Sequence, residues 1–331
     1  MMISAVFWLS LCCSAPAASL FEDQTVLEVE LAGPIDALIR NREDRQELPF
    51  VLRSGGSELD VNVRVRGKSR LEVCRFPPLR LNFQHGAAEQ TAFAGQDKLK
   101  LVTHCSNGRS GEQDLLKEYL AYRIFGLLSD VAYRVRLLHI RYSDTDSPQD
   151  SDTRYAFVIE PKGHLATRVD KAPLQLPGVS LSRLNSGQLT LMFVFQYMIG
   201  NTDWSLVAPA EEVYCCHNGK LFGTEEDIFY VPYDFDLSGI VNASYAKPDP
   251  SLRLRNVRSR RYRGFCTDRE SVRTALRRIV SQREDIYELA RNTPGLAEKE
   301  AEQSVDYLQA FFDKADDEEK LLKSFDKRCL K

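Results

Sequence analysis

Gly200-Asn201-Thr202-Asp203-Trp204-Ser205 and, a short way on, Val231-Pro232-Tyr233-Asp234-Phe235-Asp236-Leu237-Ser238-Gly239 are the two stretches on which the reading of this chain turns. The first closes an apolar stretch, Gln188 to Ile199, that reads as a buried helix. The second closes an apolar strand. Two acids at the ends of two elements, aimed at one cleft, are the layout that phosphoryl transfer needs. One carboxylate stands near the attacking hydroxyl and the other holds the metal on the phosphates.

Working outward, the part before these motifs is strand-rich. Thr25 to Leu31 and Leu59 to Arg66 alternate with period two, and Leu79 to Phe83 and Leu99 to Val102 are further strands. Gly55-Gly56 and His85-Gly86 mark turns. Glu112 to Leu128 predicts a helix, with Leu116, Leu120, Ile124 and Leu127 on its core face. Strands Tyr133 to Tyr142 and Tyr155 to Ile159 then run into a hinge at Glu160-Pro161-Lys162-Gly163, with a polar tip at Asp144 to Asp152 between them. Past the hinge, Glu212 to Cys216 and Lys220 to Phe222 predict a hairpin around His217-Asn218-Gly219. From Arg269 the pattern is helical, broken near Pro294-Gly295 and Ala315-Asp316. The expected fold class is therefore α+β: a β-rich lobe over 19–160, a mostly helical lobe over 161–331, and a ligand between them.

The chain has 331 residues, 43% of them hydrophobic, enough to build a core. A net charge of -3 gives no general attraction to nucleic acid. Ile3 to Leu11 is an apolar run too short to span a bilayer, and Ser14-Ala15-Pro16-Ala17-Ala18 follows it, so residues 1–18 read as a secretory signal peptide, although no Lys or Arg precedes the run. No later stretch is a transmembrane helix. The expected location is periplasmic or secreted. Cleavage would remove Cys12 and Cys13 of the eight cysteines and leave Cys74, Cys105, Cys215, Cys216, Cys266 and Cys329, an even set that allows disulfides in any of about fifteen pairings. With no C-x-x-C pair, zinc is not expected. Histidine catalysis is not expected either, since His85 and His217 fall in turns and nothing orients a His104–Cys105 pair.

The order Arg66-Gly67-Lys68-Ser69, a strand lysine, a helix, two strands into a hinge, Asn201-x-Asp203-Trp204 and then Tyr233-Asp234-Phe235-Asp236 resembles the CotH family, the spore-coat-protein-H-like atypical protein kinases. The resemblance runs from about Arg64 to Cys266. It implies a bilobal protein-kinase-like fold and transfer of the γ-phosphate of ATP, with Mg²⁺ or Mn²⁺, to a hydroxyl, Ser or Thr of an exported or envelope protein. Asp203 would be catalytic. Asp234 would be the main metal ligand, with Asp236 sharing the metal. Lys100 or Lys98 would reach the phosphates, Lys100 being favoured because Leu99 and Leu101 flank it, and Glu118 would pair with that lysine. Arg66, Lys68 and Ser69 would cover the phosphates in place of a glycine-rich loop. The family's asparagine shortly after the catalytic aspartate is missing from Ser205 to Glu212, so Glu212 would stand in as a ligand, and Asn218 lies too far along. The same departure suits a second reading, a catalytically inactive binding or adhesion protein on the same fold.

The run Arg253 to Arg263 is dense in positive charge, and Arg258, Arg260, Arg261 and Arg263 are its candidate substrate contacts. Some of its arginines are expected to pair with acids such as Glu270 and Asp285. The D-x-D at Asp234–Asp236 also suits haloacid-dehalogenase-type phosphatases and glycosyltransferases, but neither the helical remainder nor the strands upstream supply the alternation those folds require.

Overall fold

The computed structural model describes residues 20–147, 151–207 and 213–331. The leader expected at 1–18 and the candidate ligand Glu212 lie outside these residues, as does the tip of the 144–152 loop at 148–150. The elements are β1 (Leu27–Gly33), α1 (Ile35–Arg40), β2 (Leu48–Ser54), β3 (Ser57–Val65), α2 (Ser69–Val73), β4 (Leu79–Phe83), β5 (Lys98–Val102), α3 (Arg109–Leu128), β6 (Val135–Asp144) and β7 (Ser151–Ile159). They continue with α4 (Lys162–Arg168), β8 (Pro173–Leu174), α5 (Ser186–Ile199), β9 (Gly219–Gly223), β10 (Ile228–Pro232), α6 (Arg269–Ser281), α7 (Arg283–Arg291), α8 (Glu298–Ala315) and α9 (Glu318–Asp326).

The first seven strands close into a barrel in the order β1-β2-β3-β4-β5-β7-β6. Their alternation explains it. Val61, Val63 and Val65 of β3, Leu79 and Leu81 of β4, and Leu99 and Leu101 of β5 turn inward into one apolar cluster, while Arg64, Arg80 and Lys100 stand on the other face. Register places Arg64 beside Arg80 and Arg80 beside Lys100, so three cations cross adjacent strands in a row. Gly55 and Gly56, both at positive φ (58° and 81°), make the two-residue turn between β2 and β3.

A second apolar core joins α3, the inner ends of β6 and β7, the three-stranded sheet β10-β9-β8 and α5 to α9. Helix α3 lies between barrel and helices. Leu116, Leu120 and Ile124 are fully buried, but Leu127, expected in the core, is exposed, while Lys117 and Glu118 are buried. The helix is enclosed on nearly every side, so the single apolar face read from the sequence understates it. Helix α6 keeps the simpler pattern, with Val272, Ala275, Leu276 and Ile279 buried.

The hairpin expected around His217-Asn218-Gly219 is not formed. β9 pairs with β10, and His217 instead bridges Ser205. The reason lies at Gly219. A Cβ there would stand 2.0 Å from Tyr230, whose hydroxyl donates to the His217 carbonyl, so the glycine serves a close approach across the β9–β10 pair. The six cysteines form three disulfides, Cys74–Cys105, Cys215–Cys216 and Cys266–Cys329. No helix among the described residues is long and apolar enough to cross a membrane.

Candidate active site

Asp203 is placed by the end of α5. Asn185 caps the start of that helix by accepting from the Gln188 amide. At the other end Gly200 turns left-handed (φ 66°), its amide bonds Tyr197, and the Asn201 amide bonds Gln196. No larger residue fits at Gly200, because a Cβ would meet the Tyr307 hydroxyl at 2.0 Å. Asn201 Oδ1 then accepts from the Asp203 amide at 2.9 Å. Trp204 is buried and stacks on Phe193.

The Asp203 carboxylate is held at both oxygens. His217 Nε2 lies 2.9 Å from Oδ1, and Asn218 Nδ2 donates to Oδ2 and to the Asp203 carbonyl, each at 2.8 Å. Asn218, expected to lie too far along the chain, reaches Asp203, and His217, expected in a hairpin turn, bridges Ser205 and contacts the same carboxylate. Asn218 sits at positive φ (50°), which aims its amide back at Asp203, and among the described residues its Oδ1 has no hydrogen-bond partner.

The second motif adjoins the first through the backbone. The Tyr233 amide donates to the Asn218 carbonyl, the Gly239 amide to Gly200 and the Ile240 amide to Ile199. β10 ends at Pro232, so Asp234 and Asp236 lie beyond the strand. Asp234 is left-handed (φ 65°) and its amide donates to the Tyr122 hydroxyl of α3. Phe235 is fully buried against Tyr122 and Phe195. This plug lets Asp234 face the cleft, half-exposed, while Asp236 turns inward.

What the two acids meet is Arg70. Its Nε donates to Asp236 Oδ2 at 2.9 Å, and its Nη2 reaches Asp234 Oδ1 at 2.8 Å and both oxygens of Glu118 at 3.1 Å. Tyr245 donates to the same Asp236 oxygen at 3.0 Å. The expected Glu118–Lys100 pair is therefore not made, because a buried guanidinium on α2 takes the glutamate. Burial raises the Glu118 carboxyl to about 8, helped by Asp236 and Asp234 and opposed by Arg70. Burial likewise raises Asp236. Burial works against the charge on Arg70, but Asp236, Glu118, Tyr245 and Asp234 outweigh it and hold the group protonated. Glu118, Asp234 and Asp236 bring carboxylate oxygens within 4.8 Å of one another, a donor set that suits a hard divalent cation.

Lys100 is half-buried with its ammonium 5.1 Å from the centre of the Tyr233 ring. Burial, helped by Arg66, Lys220 and Arg80 and opposed by Asp234, lowers it to about 8. Lys98, on the same face, is exposed and pairs with Asp97. Arg66 is half-buried beside Asp234, while Lys68 and Ser69 are exposed at the start of α2. The Arg80 Nε is buried with no hydrogen-bond partner.

The arginine run is mostly not a free surface. Arg260 donates to the carbonyls of Met198 and Tyr307, Arg263 to those of Thr202 and Trp204, and Arg261 to Leu252. Arg258 is exposed, with its guanidinium 4.7 Å from the Tyr307 ring centre. Of these, Arg263 braces the segment that carries Asp203. Glu270 pairs with Arg273 rather than with the run. A cavity of about 760 Å³ lies elsewhere, lined by Phe21, Tyr119, Leu127, Tyr133 and Leu289, and holds none of Asp203, Asp234, Asp236 or Glu118.

Sequence reasoning missed Arg70, His217, Asn218, Tyr122 and Tyr245. For Arg70 the signal available was its place directly after Arg66-Gly67-Lys68-Ser69. No protein-family model matches the chain, and no curated protein matches it. Among solved structures it is similar to the crystal structure of a Helicobacter pylori proinflammatory kinase, CtkA, at 12% identity and a TM-score of 0.40, over 76% of this chain and 90% of that one. A likeness at that level decides nothing about this chain.

Proposed function

We propose that the chain is an ATP-dependent phosphotransferase with a bilobal, protein-kinase-like arrangement divided near residue 160, acting on a hydroxyl of an exported or envelope protein. The observation that carries this reading is the backbone junction that sets the Asp203 loop beside Asp234, with Lys100 facing the same acid. Asp203 orients the acceptor hydroxyl and takes its proton, with His217 and Asn218 fixing its two oxygens. Lys100 and Arg66 neutralise the phosphates. Asp234, half-exposed, and the free Oδ1 of Asn218 are the donors for Mg²⁺ or Mn²⁺, which would supply charge neutralisation on the phosphates. Positioning and charge do most of the work. The three disulfides support an oxidising compartment.

The test is transfer of labelled γ-phosphate to secreted or envelope protein, or to the chain itself. Asp203→Asn should abolish transfer with its circular dichroism spectrum unchanged. A second reading, a binding protein without turnover, is favoured by one observation: Arg70 already neutralises Asp234 and Asp236. It predicts no transfer by the wild type and an unaltered function in Asp203→Asn.

A further inference from the structure

We propose that Arg70 is a resident cation of the cleft: it takes the place of a second metal ion among Glu118, Asp234 and Asp236, so the site holds one divalent ion rather than two. The inference rests on the phosphotransfer reading for its setting, but its test does not depend on transfer.

Three facts carry it. First, the guanidinium is committed to all three acids. It uses both oxygens of Glu118, one of Asp236 and one of Asp234. Tyr245 occupies the same Asp236 oxygen. Glu118 is thereby removed from metal chemistry, and Asp234 keeps one oxygen turned to the cleft. Second, Arg70 is built in. It is 8% exposed, on a short helix tied at several points. Arg42 donates to the carbonyls of Leu71 and Cys74 at the end of α2. The Cys74–Cys105 disulfide joins that end to the segment leading into α3, which carries Glu118. Third, an arginine does not give up its proton, so the position holds a positive charge at every working pH. A divalent ion entering between the three acids would have to expel this buried guanidinium from all of them. The tethered guanidinium holds the space among the three acids, and a metal meets the group only on the cleft side of Asp234.

The consequence separates the acids. Asp234 is the metal ligand, with Asn218 as its neighbour. Glu118, although within 4.8 Å of the others, is a positioning residue that acts through Arg70.

The experiment counts bound Mn²⁺ by electron paramagnetic resonance on the whole chain, with Mn²⁺ alone and with a non-hydrolysable ATP analogue. Wild type should bind one Mn²⁺ per chain in the presence of the analogue. Glu118→Gln should keep that one ion within about threefold of its affinity. Asp234→Asn should lose it. Arg70→Met should gain a second Mn²⁺. If Arg70→Met does not fold, the wild-type count and the Glu118→Gln affinity still decide. Two ions in wild type, loss of the ion in Glu118→Gln, or no Mn²⁺ under either condition would overturn the proposal. If the analogue fails to bind while one Mn²⁺ binds alone and Glu118→Gln retains it, the proposal stands and the phosphotransfer reading falls.

Discussion

Two arginine-rich regions of this molecule use the same side chain in opposite ways. At the cleft a single Arg70 is buried and collects three carboxylates from α3 and the loop after β10. On the helical side Arg269, Arg273 and Arg277 line α6 and pair with Glu318 and Glu319 of α9 in water. In the first group Arg70, Glu118 and Asp236 are buried, and loss of the arginine leaves three acids without their cation. The second can be replaced by water and salt. The number of ion pairs therefore says little, and burial decides which of them the fold depends on.

Replacing Arg70 should have the largest effect. Arg70→Met is expected to cost about 3–5 kcal/mol in urea unfolding, the usual penalty for removing one partner of a buried charge cluster. A cost near zero would mean that the cluster relaxes or takes up water. Arg263→Ala comes next, at about 1–3 kcal/mol, because it strips the donors from the Thr202 and Trp204 carbonyls around Asp203. Arg258→Ala, on an exposed side chain, should leave stability nearly unchanged and so show whether the run braces a loop or forms a surface.

Lys100 should break the comparison in the other direction, since a half-buried cation with no carboxylate bonded to it among the described residues costs stability. Its ammonium falls to about 8 in the folded protein from an ordinary 10.5. The unfolded chain binds the extra proton between those values, so stability contributed at this site rises with pH from about 8 to 10.5 and is at its lowest below 8. Lys100→Met should flatten that rise, melt no lower than wild type at pH 7, and lose nucleotide affinity. A lower melting point would make Lys100 a structural residue. The smallest effect belongs to the exposed network. Arg277→Ala should barely move the urea midpoint, and 1 M salt should erase any difference.

Much of this was readable in advance, and the exceptions share a cause. β1, β3, β4 and β5 announced themselves by alternation, and α5 by its apolar length and terminal glycine. β2 did not, because Pro49 interrupts it and lacks an amide for the ladder. Asp203, Asp234 and Lys100 could be singled out because each sits at the end or on the polar face of a legible element. Arg70 was not, because it meets its partners 48, 164 and 166 residues away, and a lone arginine in a sequence gives no sign that it will be buried. His217 and Asn218 were read as a turn on local grounds. Their partner, Asp203, stands 14 and 15 residues earlier in the chain, beyond the reach of any local pattern.

The central claim is that Asp203, Asp234 and Lys100 frame a metal-dependent nucleotide site. Calorimetric titration of ATP into the chain, with Mg²⁺, with Mn²⁺ and without metal, tests it most directly when repeated on Asp234→Ala. The account predicts binding that requires the metal and disappears in a folded Asp234→Ala variant. Binding that is equal without metal, unchanged in Asp234→Ala, or absent under every condition would contradict it.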